Sequence, residues 1–256
     1  MLAAILLFSY YFWSSAVYGF ALQAGLDRLL HRETSAKIPI PIAAIIGLIA
    51  ISVLASTANL FLYLGFPFAL LLFVGAVILH VRMKPFRTLR VPRLPFWVWL
   101  IAGLISLTVL EISTHRPSVS DTALYHAQTI RWFETYPAVP GLGNLHHRFA
   151  FNSSWLVLNA ALSFSSFDVQ SFRLVGGFFF LIAQLYFLGG LVELFQGNAS
   201  WAGMFKVIAI PLSFYLFSSV VSSPAYDMPV AILAWIIVIL WLEAAEDESR
   251  ADAYLP

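Results

Sequence analysis

The chain contains no cysteine, which excludes disulfides, thiolate metal sites and a cysteine nucleophile. It is also poor in charge. Asp, Glu, Lys and Arg make up 11% of 256 residues and the formal net charge is +1, so no long-range field suited to nucleic acid exists. No internal repeat at solenoid periods and no low-complexity segment is present. The opening MLAAILLFSYYFWSSAVYGFAL lacks the basic n-region and small-residue cleavage site of a signal peptide, and reads as a retained first helix. What fills the chain is apolar: 61% hydrophobic and 16% aromatic residues, with a mean hydropathy of +0.85. Several runs approach or exceed the roughly 18 apolar residues of a transmembrane candidate. This is an integral membrane protein.

The hydropathy pattern predicts an all-α fold, a polytopic transmembrane bundle of about seven spans with interfacial helices in a large external loop. Four spans, Leu2–Ala24, Ile38–Ser56, Leu60–Leu79 and Leu94–Ile112, fill residues 1–112. A polar loop with amphipathic and half-membrane helices occupies 113–173. Three more spans, Arg173–Phe195, Trp201–Val221 and Pro229–Ala244, lie in 174–245, and a polar tail closes 246–256. Eight of the 14 Lys and Arg residues (Arg28, Arg32, Lys37, Arg82, Lys84, Arg87, Arg90, Arg93) fall in two short loops. The positive-inside rule makes those loops cytoplasmic and the loop at 113–150 extracytoplasmic. The expected home is the cell inner (cytoplasmic) membrane. Phe151–Phe164 is apolar but too short for an ordinary span, and is expected to be interfacial or re-entrant. Asp121, Arg173 and Asp227 then share one side of the membrane.

The polar stretch from Ser118 to Trp155 concentrates the chemistry: Asp121, Tyr125, His126, Gln128, Arg131, Glu134, His146, His147 and Arg148. At 100° per residue, Asp121, Tyr125, Gln128, Trp132 and Tyr136 share one helical face, with Ala123, Ala127, Ile130 and Phe133 opposite. Carboxylates and amides bind sugar hydroxyls, and aromatic rings stack on sugar rings. The same aromatics would equally serve as interface anchors, and Asp121 as a helix cap. Pro137 to Asn144 ends the helix and turns the chain. Its glycines lack the strand and Lys-Ser/Thr of a phosphate loop, and no nucleophile elbow is present. Asp121 with His126, His146 and His147 would be the residues of a metal site, although no ligand spacing supports one. A divalent metal is the one cofactor left open. Arg173 is either a snorkelling residue at a helix end or a permanent cation where a lipid-linked phosphate would lie. Asp227, two residues before Pro229, is either a cap or an acid.

The order of these features resembles the GT-C glycosyltransferases. In them an external loop with an early acid is followed by interfacial helices, an apolar half-helix, a short turn ending Arg-Leu, a span, and later an external Asp after a Ser-rich break. Asp121 matches the early acid and Phe151–Phe164 the half-helix. Ser165 to Leu174, with Arg173, matches the turn, and Ser222-Ser-Pro-Ala-Tyr-Asp227 the break. The loop is still more similar to that of a family of uncharacterised bacterial polytopic proteins with an Asp…Leu-Tyr-His…Val-Pro-Gly-Leu-Gly-Asn-Leu-His…Phe-Asn-Ser-Ser stretch. Asp121 stands alone where the known enzymes carry a pair of acids. The half-helix opens Phe-Asn-Ser-Ser, not Pro-Pro, and four helices precede the loop in place of one.

The GT-C resemblance implies transfer of a sugar from a polyprenyl-phosphate carrier to an extracytoplasmic glycan or lipid acceptor, with membrane lipid as partner and nucleic acid excluded. Asp121 and Asp227 are then the expected catalytic residues. Tyr125, His126, Gln128, Trp132, His146, Arg148 and Arg173 are the expected substrate-binding ones. It also implies that the tail at 246–256 is a point of truncation. A lipid or glycan transporter, which would place ionisable residues inside spans, and a non-catalytic membrane scaffold are the other classes.

Overall fold

A computed structural model describes residues 2–31, 38–86, 94–165 and 171–246. Arg32, Lys37, Arg87, Arg90, Arg93, residues 166–170 of the expected Arg-Leu turn and the tail from 247 lie outside the described residues. Among the described residues the fold is all-helical, with nine α-helices and no strand. Six of the helices are long and apolar enough to cross a membrane: α1 (Leu2–Leu29), α2 (Ile40–Asn59), α3 (Phe66–Met83), α4 (Phe96–Ser113), α7 (Phe172–Phe195) and α9 (Asp227–Glu246). A seventh apolar helix, α8 (Trp201–Phe217), is 17 residues long. Two short helices, α5 (Ala127–Thr135) and α6 (Ser154–Ala161), belong to the polar segment. This is a multi-pass membrane protein.

Helix α7 is the centre. It packs against α1, α2, α4, α6, α8 and α9, and Phe178, Phe179, Phe180, Val175 and Phe187 are all within 2% of complete burial. Its small residues let neighbours close in. A Cβ on Gly177 would lie 1.8 Å from Ser113 Oγ on α4, and one on Gly176 would lie 2.9 Å from the Val221 carbonyl oxygen. Lipid tails are as apolar as leucine, so contact of this kind, rather than water exclusion, holds spans together. The closest approach joins α1 to α2 at Gly19 and Gly47.

The ends of the bundle differ. At one, here the loop end, α2 and α3 meet, α4, α5 and α6 are joined, α7 starts, and α8 turns into α9. The far end carries Arg28, His80, Arg82 and Lys84 in the last turns of α1 and α3 and just beyond. It also carries a buried ionic cluster. Lys206 of α8 is 3% exposed; it donates to Glu193 of α7 at 3.1 Å and pairs with Glu243 of α9. Tyr186 also donates to Glu243 at 3.3 Å.

Helix α6 has eight residues. At 1.5 Å per residue that is roughly 12 Å, against a hydrocarbon core of roughly 30 Å. Tyr11 of α1 donates to the Leu162 carbonyl at 2.8 Å, Ser52 of α2 donates to the Ser154 carbonyl at 3.0 Å, and Ser171 accepts from Phe164 N–H at 2.6 Å. The chain therefore enters the loop end, makes two turns and begins α7 without crossing.

Candidate functional site

The site is assembled where the polar segment after α4 docks on the break between α8 and α9. Ser118 donates to the Ser219 carbonyl at 2.6 Å, and the hydroxyls of Thr122 and Ser223 pair at 2.7 Å. Between these and α5 the helix widens into a π-turn over Thr122–His126, with Ala127 N–H bonded to the Thr122 carbonyl. Such single π-turns add a residue to the helical turn and occur often at functional sites. Here the wider turn lets two adjacent side chains, Tyr125 and His126, both face the break, and both are buried.

The expected faces are corrected by this docking. The buried face is Thr122, Tyr125, His126, Thr129 and Ile130, whereas Ala123 and Gln128 are exposed. The partner surface is a hydroxyl-rich break and not lipid, so threonines and a tyrosine are buried where alanine was expected. Trp132 packs on Tyr136 with ring centroids 5.2 Å apart, beyond the π-turn. Asp121 is already inside the helix and makes no side-chain cap bond.

Charged and titratable side chains converge at the docked segment. Arg148 donates through Nη1 to Asp121 Oδ1 at 2.6 Å, and its guanidinium carbon lies 5.1 Å from the Tyr125 ring centre. Arg148 reaches Asp121 because Gly141, at φ +81°, reverses the chain into two 3-10 turns, Leu142–Asn144 and His147–Ala150. His146 Nδ1 accepts from the Arg148 N–H at 3.3 Å and so fixes the start of the second turn. His146 itself stacks on His147 at 4.9 Å.

His126 lies at the centre. Its ring is 4.2 Å from that of Tyr125 and 5.9 Å from that of Tyr226. Burial holds its pKa below the usual histidine value, while the carboxylates of Asp121 and Asp227 act in the opposite direction and Arg148 adds to the lowering. Tyr125 donates to, or accepts from, the Tyr226 hydroxyl at 3.4 Å, and its own pKa is raised, first by burial and then by that contact. Asp227 opens α9 and is exposed, without a side-chain hydrogen bond among the described residues.

The structure thus brings together Asp121, Tyr125, His126, Arg148, Tyr226 and Asp227. Arg173 stands in the first turn of α7, half-buried, at the same end of the bundle. Tyr226 was not expected as a participant. Nor was Asn59, a buried residue that donates to the Tyr136 carbonyl at 3.4 Å and, through its own carbonyl, accepts from Ala138 N–H at 2.7 Å, holding the end of α5. Among the described residues no group of three His, Asp or Glu side chains is placed to hold a metal ion.

A family model described as a domain of unknown function (DUF8201) matches residues 1–255. The chain belongs to this family. No curated protein and no solved structure matches it. The family match spans the transmembrane helices and the polar segment together, so the docked loop is part of the DUF8201 unit and not an addition to it.

Proposed function

We propose that this DUF8201 protein is a membrane glycosyltransferase of the GT-C kind. In this reading it moves a sugar from a polyprenyl-phosphate carrier to a glycan or lipid acceptor on the extracytoplasmic side of the cytoplasmic membrane. The observation that carries the reading is the meeting of two carboxylates from segments about a hundred positions apart, Asp121 and Asp227, around one imidazole and one guanidinium at a helix-bundle end. Asp227, exposed and not hydrogen-bonded among the described residues, suits an acceptor base. Asp121, already bonded to Arg148, orients that cation and keeps its other oxygen for a sugar hydroxyl. Arg148 and Arg173 are the cations for the carrier phosphate, whose negative charge grows as the sugar leaves.

A lateral groove supports the lipid-linked donor. Its cavity of about 350 Å³ runs between α2, α6 and the first turns of α9, floored by Phe179. Its hydroxyls, Ser52, Ser56, Thr57 and Ser154, gather toward the loop end, and Pro229 on its wall is two residues from Asp227. A carrier chain lying there would present its phosphate near the carboxylates without leaving the bilayer.

The buried Lys206 cluster is the observation that favours the transporter reading, since ionisable residues inside spans mark pathways. Its partners are all within hydrogen-bonding reach, however, and it ties three helix ends at the far side of the bundle.

The test uses the purified chain in nanodiscs and native mass spectrometry with polyprenyl-phosphate hexoses and pentoses. The wild-type protein is expected to bind at least one, and membranes to transfer its sugar. Asp227→Asn should keep binding and abundance while losing about 10²-fold in transfer. Failure to bind any polyprenyl-phosphate sugar would overturn the reading. Full transfer by Asp227→Asn would return that residue to the role of a first-turn acid.

A further inference from the structure

Both ring nitrogens of His126 are buried without a hydrogen-bond partner among the described residues, and the residue as a whole is 2% exposed. The great majority of buried polar side-chain atoms in folded proteins are paired, and an orphan costs stability. Two orphans on one buried ring, beside the bonded Asp121–Arg148 and Tyr125–Tyr226 pairs, point to a partner supplied from outside the chain. The ring is covered by two tyrosines. One of these, Tyr226, is half-buried, and the hydroxyl contact with Tyr125 that holds it is long, 3.4 Å. Tyr226 is the side that can give way.

The chemistry of the missing partner follows from the ring. Burial lowers the imidazole pKa from its usual value and so favours the neutral ring, and a neutral imidazole offers one N–H donor and one acceptor nitrogen. Its partner must therefore accept at one nitrogen and donate at the other. Hydroxyl groups do both. The phosphodiester of a lipid-linked sugar carries no O–H; it only accepts, and would leave the second nitrogen unpaired. Charge argues the same way: the carboxylates of Asp121 and Asp227 both act on the ring, and an anion placed against it would meet them.

We infer that His126 reads the hydroxyl groups of a sugar or similar polyol, displacing Tyr226, and is not itself a ligand of the carrier phosphate. This deepens the glycosyl-transfer reading and rests on it only for the source of the sugar. His126 is then a specificity-determining residue with a hydroxyl-bearing ring as its ligand.

The experiment uses the whole chain in detergent, labelled with ¹⁵N in the imidazole rings. Six histidines are present, and a His126→Gln spectrum assigns the resonances of interest. The probes are methyl glycosides of hexoses and pentoses, which carry no phosphate, and dimethyl phosphate, a diester with no O–H. The ring-nitrogen resonances of His126 should move saturably with a glycoside and stay in place with dimethyl phosphate. Movement with dimethyl phosphate but with no glycoside would make this an anion site and overturn the inference. Movement with neither would make the ring structural, and would overturn it equally.

A second measurement keeps the question open to a structural answer. His126→Phe and His126→Leu remove both orphan nitrogens, and an apolar replacement of an unpaired buried group is neutral or stabilising. At least one of the two variants is expected to raise Tm, by about 2 °C or more. A fall in Tm in both would show that the nitrogens are partnered within the protein and would sink the proposal. The two readings separate cleanly. If glycosides move His126 but no polyprenyl-phosphate sugar binds, the polyol site stands and the transferase reading falls. If the lipid-linked sugar binds and glycosides never reach His126, the reverse holds.

Discussion

Arg148 divides its guanidinium between a carboxylate and an aromatic face, and neither contact alone explains its position. The Asp121 pair is partly exposed on both sides, 31% for Arg148 and 39% for Asp121, so solvent screening limits its worth to folding to about 0–1 kcal/mol. The planar fork and the stacking on Tyr125 are features that lysine does not reproduce. Arg148→Lys is therefore expected to leave Tm within a degree or two of wild type. It should weaken binding of a polyprenyl-phosphate sugar about tenfold to a hundredfold, the equivalent of one charge-assisted bond of about 1.5–3 kcal/mol. Equal binding by the lysine variant would show that only a positive charge is needed at this place. The residue types at the site were legible in the sequence, because Asp121, His126, Arg148 and Asp227 stand among the few ionisable groups of a chain that is 11% charged. Their pairings were not. Arg148 meets Asp121 only because Gly141 takes a left-handed backbone and His146 accepts from the Arg148 N–H, and no periodicity encodes either. Tyr226 was hidden for a different reason: it stands in the Ser-rich break, where only Asp227 was singled out, and its role depends on the π-turn opposite.

Most spans were legible as apolar runs, and their ends were not. Helix α3 begins at Phe66 and not at Leu60, because residues 60–65 form a turn on which α5 is anchored: Leu64 N–H donates to the Phe133 carbonyl at 2.7 Å, beside the Asn59 contacts. Helix α8 stops at Phe217, four residues before its apolar run ends at Val221, since the following serines leave the helix to receive Ser118 and Thr122. Hydropathy counts these residues as span; hydrogen bonding decides otherwise. The tightest element pair, α1 with α2, depends on two glycines that hydropathy cannot weigh. A Cβ on Gly19 would lie 1.8 Å from the Ala43 carbonyl oxygen, and one on Gly47 would lie 1.7 Å from the Ser15 carbonyl oxygen. Both obstacles are backbone, so the helices must move apart. Gly47→Ala is expected to cost about 1–3 kcal/mol or more, as overpacking does, seen as a lower Tm and reduced abundance in the membrane. Gly103→Ala is the control, because nothing lies within 4 Å of a Cβ there, and it should be silent or slightly stabilising. Indifference to Gly47→Ala would mean that α1 and α2 do not pack at this distance.

At the scale of the molecule the two ends carry different chemistry, and the proposed activity requires a fixed orientation of them. The loop end holds the carboxylates, the docked segment and the mouth of the groove. The far end holds the basic last turns of α1 and α3 and the Lys206 cluster. Since Lys and Arg are retained on the cytoplasmic side, the loop end is expected to face outward. The chain has no cysteine, so single cysteines can be labelled without background. Thr122 and Ala225 are buried and would report burial instead of sidedness. Ala123 and Ser218 are exposed, one on each partner of the docked contact, and Met83 and Ala199 are exposed at the far end. Ala123→Cys and Ser218→Cys should both react with a membrane-impermeant maleimide in intact cells, and Met83→Cys and Ala199→Cys only after permeabilisation. Reaction at 123 together with protection at 218 would place the two halves of the site on opposite faces of the bilayer, which is incompatible with the bonds of Ser118 to Ser219 and Thr122 to Ser223. Labelling of 83 and 199 with protection of 123 and 218 would preserve the fold and invert it, and an acceptor would then have to be sought in the cytoplasm.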